Sequence, residues 1–182
     1  MSAENAADPT RQQARTRAAI RQAFFELVFQ ASYQEVSMAA VAARANVGRS
    51  TLYEHFRTKD ELFRDSVRVP LAGLAELVGA LALPASVGGV LRHFRENQAL
   101  ARVLFYLPAY KSMQQVLAEL IEARLGDRVP NGIPMSLVAT QIAAAQFAVL
   151  APWILGQVAA APAAIAEALY RSSNAIADAL LT

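Results

Sequence analysis

A chain of 182 residues, 55% hydrophobic and 18% charged, is long and apolar enough to bury a real core, which excludes an intrinsically disordered polymer. It has no cysteine, so disulfides, thiolate metal sites and cysteine nucleophiles are excluded together. The net charge of +2 is unevenly placed: residues 1–8 carry −2, residues 9–59 carry +5 and residues 60–182 carry −1. A basic segment of that kind is the electrostatic footprint of a phosphate-binding surface.

Alanine is frequent throughout and strong β-formers are concentrated nowhere, so the composition points to an all-α protein. Residues 1–9 read as a disordered arm. A long helix begins at Thr10, with Ile20, Phe24, Leu27 and Val28 at helical spacing on its inner side and Phe25 and Phe29 widening that stripe. Arg11, Arg15 and Arg17 crowd its first turns, either as phosphate contacts or as a solvated face. Ser32 to Val36 is a connector in which Tyr33 packs under the first helix. Ser37 suits the N-cap of a second, short helix, but Ala40 three residues on leaves no capping box.

Residues Ala39 to Phe63 organise the chain. Val41 and Ala42 form the inner side of the second helix. Asn46 stands where the chain turns, and asparagine tolerates the left-handed conformation of a helix exit. Gly48 opens a third helix from about Arg49 to Phe56, in which Leu52 and Phe56 face inward together. Arg49, Ser50, Thr51, Tyr53 and Glu54 are left on the outside. A short helix with such a surface, braced by a preceding helix, has the form of a helix-turn-helix that reads DNA.

The run ANVGRSTLYEHFRTKDEL resembles the signature of the tetracycline-repressor (TetR) family of bacterial transcription regulators through Ala45, Val47, Thr51, Leu52, Tyr53, His55, Phe56, Lys59 and Leu62. It departs at Asn46, where a glycine is usual, at Gly48, where a serine is usual, and at Ser50. The resemblance covers about the first third of the chain. It implies DNA contacts at Arg49, Ser50, Thr51, Tyr53, His55 and Lys59, with Ser37 and Met38 at the start of the second helix. The chemistry of these side chains agrees. Arg49 can donate twice to a guanine edge, Thr51 can meet a phosphate or a thymine methyl, and Tyr53 and Lys59 can donate to phosphate oxygens. His55, partly inward, is as well suited to packing.

A fourth helix opens at Lys59, with Asp60 and Glu61 in its first turn and Leu62, Phe63 and Val67 inward; Pro70 kinks or ends it. Helices then follow at about 71–82, 85–96, 98–106, 109–125, 134–157 and 162–181, about nine in all, with breaks at Pro84, Pro108 and the loop from Gly126 to Pro134. The expected organisation is an arm over 1–9, a helix-turn-helix domain over 10–59, and a helical ligand-binding and dimerisation domain over 60–182. The resemblance implies a cavity in the last of these. Its candidate lining is Phe94, Leu104, Phe105, Tyr110, Met113, Phe147 and Trp153, with His93 or Arg95 as an orienting polar group; the sparse charge nearby favours an apolar small molecule.

Residues 134–182 carry only Glu167, Arg171 and Asp178 as charges. Two helices this apolar call for a partner, and pairing two copies into a four-helix bundle supplies one. Ile165, Leu169, Ile176 and Leu180 are the expected dimer residues, beside a thin surface of Ala168, Ala175 and Ala179. The segment from Ile133 to Gly156 is apolar, but its glutamines and the lack of basic flanks read as a buried helix and not a membrane span. There is no signal segment, which fits a cytoplasmic protein. With two histidines, no phosphate loop and no nucleophile elbow, no catalytic site, metal or cofactor is expected. The function expected is therefore a non-enzymatic repressor that binds palindromic operator DNA as a homodimer and is released by an apolar ligand. The alternative is a dimeric helical regulator that acts through a protein partner without an inducer of its own.

Overall fold

The structure, a computed structural model, describes residues 9–31, 33–105, 109–126 and 128–182. The arm expected at the N-terminus lies outside these residues apart from Pro9, as do Ser32 of the connector and the expected break at Pro108. The described elements are helices: α1 (Pro9–Gln30), α2 (Met38–Arg44), α3 (Arg49–His55), α4 (Lys59–Ala75), α5 (Ala85–Glu96), α6 (Gln98–Leu104), α7 (Ala109–Leu125), α8 (Met135–Ile154) and α9 (Pro162–Leu180). The chain divides into two compact units, residues 1–66 and 67–182, and the division falls inside α4 rather than ahead of it.

The first unit is built on the apolar side of α1. Ile20, Ala23, Phe24 and Val28 are buried, and so are Val41 and Ala42 of α2, Leu52 of α3, and Leu62 and Phe63 of α4. Phe24, Tyr33 and Phe63 meet edge to face, with centroids 5.5–6.4 Å apart, a favoured aromatic geometry. Phe29 does not widen this stripe: one residue past Val28, it is rotated away and 56% exposed. Arg17 reaches Asp65 through two hydrogen bonds of 3.1 and 2.7 Å, and Arg21 adds a third of 3.2 Å. The Arg17 guanidinium also lies 4.7 Å from the centre of the Phe56 ring.

The second unit is a bundle around α8. Helices α7 and α9 pack on α8, α5 packs on α9, and α6 touches α5 and α8. Val138, Ala139, Ile142, Ala143, Gln146, Phe147 and Leu150 of α8 are buried, the alanines at four-residue spacing allowing close helix approach. Among the described residues, α8 is the one helix long and apolar enough to cross a membrane, yet half of it is covered by the bundle. At its centre Gln146 Nε2 donates to the Leu74 carbonyl (3.2 Å) and the Ser173 hydroxyl (2.9 Å), while its buried Oε1 meets no donor among the described residues.

Pro70 does not end α4, which runs on to Ala75. The separate helix expected over 71–82 is absent because the next carbonyls are taken by side chains from elsewhere in this unit. Asn174 donates to Leu77 O (2.9 Å), Arg124 to Val78 O (2.7 Å) and Tyr170 to Ala80 O (3.2 Å). Asn174 also accepts from the amide of Gly79, whose φ of 70° suits a residue without a side chain. Ile165 and Leu169, expected at a dimer face, are buried within the protomer. They belong, with Ser173 and Ala177, to the side of α9 that meets its own bundle. Ile176 and Leu180 sit at the edge of that side, half-buried.

Two outcomes follow. Burial pushes the Asp65 carboxyl up, but Arg17 and Arg21 together hold it below the usual carboxylate value. A carboxyl depressed in the folded state contributes stability above its unfolded value, near ~3.9, and loses it as pH falls through the folded value. Asp65→Asn should therefore cost about 1 kcal/mol at pH 7, allowing for solvent screening, and the gap to wild type should close in denaturant titrations below about pH 4. At Gly73 a Cβ would collide with Cγ2 of Val90 on α5, a stiff β-branched side chain. Gly73→Ala should lower stability by about 1 kcal/mol or more in thermal melts, overpacking outweighing the better helix propensity of alanine.

Candidate nucleic-acid interface

The turn between α2 and α3 is made by local chemistry. Ser37 takes an extended conformation (φ −101°, ψ 152°), and its hydroxyl oxygen accepts from the Ala40 amide at 3.2 Å, capping α2. Helix α2 exits through Asn46, whose φ of 53° is the left-handed conformation that asparagine tolerates. The Val47 amide then returns to the Ala42 carbonyl at 3.0 Å, which closes the turn. Gly48 is the N-cap of α3 with ordinary extended angles, so no steric need for glycine exists there.

Leu52 and Phe56 are fully buried and fix which side of α3 faces out. On the outer side Arg49 and Ser50 are exposed, and Tyr53 is 50% exposed. Arg49 and Tyr53 stand one turn apart on the same side of the helix. Thr51 and His55 are half-buried and, with Glu54, line an open groove against Thr10, Gln13 and Arg17 of α1. The His55 ring lies tilted beside Phe56, centroids 6.4 Å apart. Ser37 is exposed and Met38 half-buried at the start of α2.

Lys59 does not belong to this outer surface. Its ammonium donates to the carbonyls of Tyr33 (2.9 Å), Gln34 (3.2 Å) and Val36 (3.0 Å) and rests 4.6 Å from the centre of the Tyr33 ring. An ammonium has three donors, and all three are committed inside the protein. A DNA-contact role for Lys59 is therefore replaced by a role in holding the connector between α1 and α2. Arg17 is likewise occupied by Asp65, and Arg44 by Glu26 at 2.6 Å. Among the described residues, Arg11, Arg15, Arg49 and Arg57 have no carboxylate at ion-pair distance.

Two features went unread in the sequence. Thr58 caps α4, its hydroxyl accepting from the Glu61 amide (3.0 Å), while the Glu61 carboxylate accepts from the Arg57 amide (2.8 Å). This is a capping-box arrangement displaced by one residue on one side, and Thr-x-x-Glu at 58–61 was its visible signal. Arg57, exposed beside that cap, joins the unpaired cations near α3. Its signal was only its place next to the motif.

In the second unit the ligand candidates separate. Phe105 and Phe147 stack with centroids 5.4 Å apart, Tyr110 meets both at 6.1 and 5.3 Å, and Phe94 meets Phe105 edge-on at 6.2 Å. Burial pushes the Tyr110 hydroxyl above its usual value. Leu104 and Met113 are core residues. Phe94 and Trp153 alone of the seven candidates line a cleft, of about 250 Å³, together with Arg95. His93 is exposed and is not among the cleft's lining residues.

The sequence pattern described as bacterial regulatory proteins, tetR family, matches residues 20–65. No curated protein matches the chain. Among solved structures, a TetR-family regulator from Streptomyces coelicolor is 18% identical with a TM-score of 0.60, covering 94% of this chain and 98% of that one. A TetR transcriptional regulator from Streptococcus agalactiae is 20% identical with a TM-score of 0.57, covering 91% and 97%. NalD, the secondary repressor of the MexAB-OprM multidrug efflux pump in Pseudomonas aeruginosa, is 19% identical with a TM-score of 0.51, covering 93% and 98%. At these identities the likeness is one of fold. The tetR-family pattern itself is matched over residues 20–65, and beyond them the chain shares the all-helical fold of these regulators.

Proposed function

We propose that this protein is a cytoplasmic repressor that binds palindromic operator DNA as a homodimer and is released by a small molecule. The observation that carries the DNA part is the outer side of α3. Arg49, Ser50 and Tyr53 are exposed there on a helix whose inner side is locked by Leu52 and Phe56. Arg49 at the start of the helix is suited to a guanine edge, and Ser50 beside it is small enough to let the helix enter a major groove. Tyr53, Thr51 and the Ser37 hydroxyl are suited to phosphate oxygens, with Arg57, Arg11 and Arg15 adding positive charge around them. His55 and Met38, half-buried, position the surface more than they extend it.

The dimer is best supported by the outer sides of α8 and α9. Leu137, Thr140, Gln141 and Ala148 are exposed on α8, and Ala164, Ala168, Ala175 and Ala179 on α9. Small side chains at four-residue spacing allow two copies to approach closely, and a two-fold axis presents two α3 helices to a palindrome. The dimer therefore runs through the alanine edge of α9, not through Ile165 and Leu169.

Four outcomes test this reading. Tyr53→Ala should weaken operator binding by about 1–3 kcal/mol uniformly across sequences. Arg49→Ala should cost a similar amount and relax the preference at one base pair of each half-site, measured by gel shift on a set of operator variants. Specific binding should weaken steeply between 50 and 200 mM salt, with a log–log slope of about 0.9 per phosphate neutralised; a flat response would remove the phosphate contacts. Ala175→Arg should convert the dimer to a monomer in light scattering and abolish tight operator binding while helical content is kept. A dimer that survives it would move the interface elsewhere.

A further inference from the structure

The cleft in the second unit has a composition unlike the apolar core beside it. Its floor is aromatic: Phe94 from the last turn of α5 and Trp153 from the last turn of α8, each only 7% exposed. Its walls are held by two hydrogen bonds. Gln98 Nε2 donates to the Ile154 carbonyl at 3.1 Å, and the Trp153 indole donates to the Ala160 carbonyl at 3.0 Å. The second of these ties down the loop after α8, whose Val158 and Ala159 complete the apolar lining.

The rim is cationic. The Arg95 guanidinium lies 5.8 Å from the centre of the Trp153 ring. A second guanidinium, that of Arg102, comes so close to Gly156 that a Cβ there would lie 3.3 Å from its Nη2. Gly156, at φ 76°, both turns the chain out of α8 and leaves room for that group. No acidic residue lines the cleft. Among the described residues, neither Arg95 nor Arg102 has a carboxylate at ion-pair distance.

An aromatic floor with the Arg95 guanidinium on its rim, and that of Arg102 against the lining residue Gly156, matches a ligand with an apolar body and one anionic end. Guanidinium and carboxylate are geometrically matched, and the pair is stronger than a neutral hydrogen bond. A volume of about 250 Å³ lies below the range of drug-sized sites, so the body is a single ring or a short branched chain. We propose that this cleft binds a small aromatic or alicyclic monocarboxylate, with the carboxylate on Arg95, the Arg102 charge beside Gly156 adding to the attraction, and the ring on the floor made by Phe94 and Trp153. The proposal rests on the ligand-responsive reading above and narrows it from an apolar molecule to an apolar acid.

Trp153 is the single tryptophan of the chain, so its fluorescence reports on this cleft alone. The full-length protein is titrated with benzoate, phenylacetate and cyclohexanecarboxylate, and with benzamide and phenylacetamide as uncharged counterparts. At least one carboxylate should change the emission saturably, and its amide should need about tenfold more or higher concentration for half-saturation. The double variant Arg95→Gln/Arg102→Gln, at exposed positions that leave the fold intact by circular dichroism, should erase that preference. The proposal is overturned if none of the three carboxylates saturates, if acid and amide bind alike, or if the double variant keeps the preference. Gel shifts run in parallel separate the two readings. Operator DNA released by a neutral apolar compound, with no carboxylate response at Trp153, overturns the acid cleft and keeps the ligand-responsive repressor. A saturable carboxylate response without any release of DNA supports the cleft and removes the release mechanism.

Discussion

The ammonium of Lys59 is the constraint on which the first unit depends. The connector after α1 brings three carbonyls, those of Tyr33, Gln34 and Val36, to one point. Lys59 supplies all three hydrogen bonds and lies over the Tyr33 ring, which itself packs against Phe24 and Phe63. One side chain thus ties the exit of α1, the entrance of α2 and the start of α4 together. A cation at a helix N-terminus opposes the macrodipole, and Asp60 and Glu61 in the same turn offset it. With both ends of the α2–α3 segment held, the direction of α3 follows from the burial of Leu52 and Phe56.

Positive charge in this unit is divided by partner, not by position. Arg17, Arg21 and Arg44 are neutralised by Asp65 and Glu26 and serve the fold, while Arg11, Arg15, Arg49 and Arg57 have no such partner among the described residues. An unpaired guanidinium is fully available to a phosphate or a base edge, whereas a paired one must first lose its carboxylate. The same division marks the cleft of the second unit, where, among the described residues, no carboxylate pairs with Arg95 over the Trp153 ring or with Arg102 beside Gly156. In both units the candidate binding groups are the cations that internal carboxylates leave alone.

Much of this was legible in the sequence because it rests on local chemistry. Asn46 in the left-handed region, Ser37 as a cap, and Leu52 with Phe56 inward follow from residue type and spacing over a few positions. The helices after Pro84 likewise fall close to where the apolar periodicity and the prolines placed them. The misreadings share one cause, which is dependence on a distant partner. Lys59 looked like a phosphate donor until the connector carbonyls, some 25 positions earlier, were seen to meet it. Residues 76–80 looked helical until Arg124, Tyr170 and Asn174 were seen to take their carbonyls. Ile165 and Leu169 looked like an interface because an apolar stripe on α9 does not say which of its two sides meets its own bundle.

What the sequence determined alone was the all-helical class, the helix-turn-helix with its turn, and the basic character of the first third, since propensity, capping and charge are properties of short stretches. The tertiary structure decided which cations are paired, which side of α9 is buried, where α4 stops, and that Phe94, Trp153 and Arg95 share a cleft while Phe105, Tyr110 and Phe147 fill a core. Those outcomes depend on contacts between residues tens of positions apart, and a hydrophobic or charged side chain carries no mark in the sequence of the partner that will satisfy it.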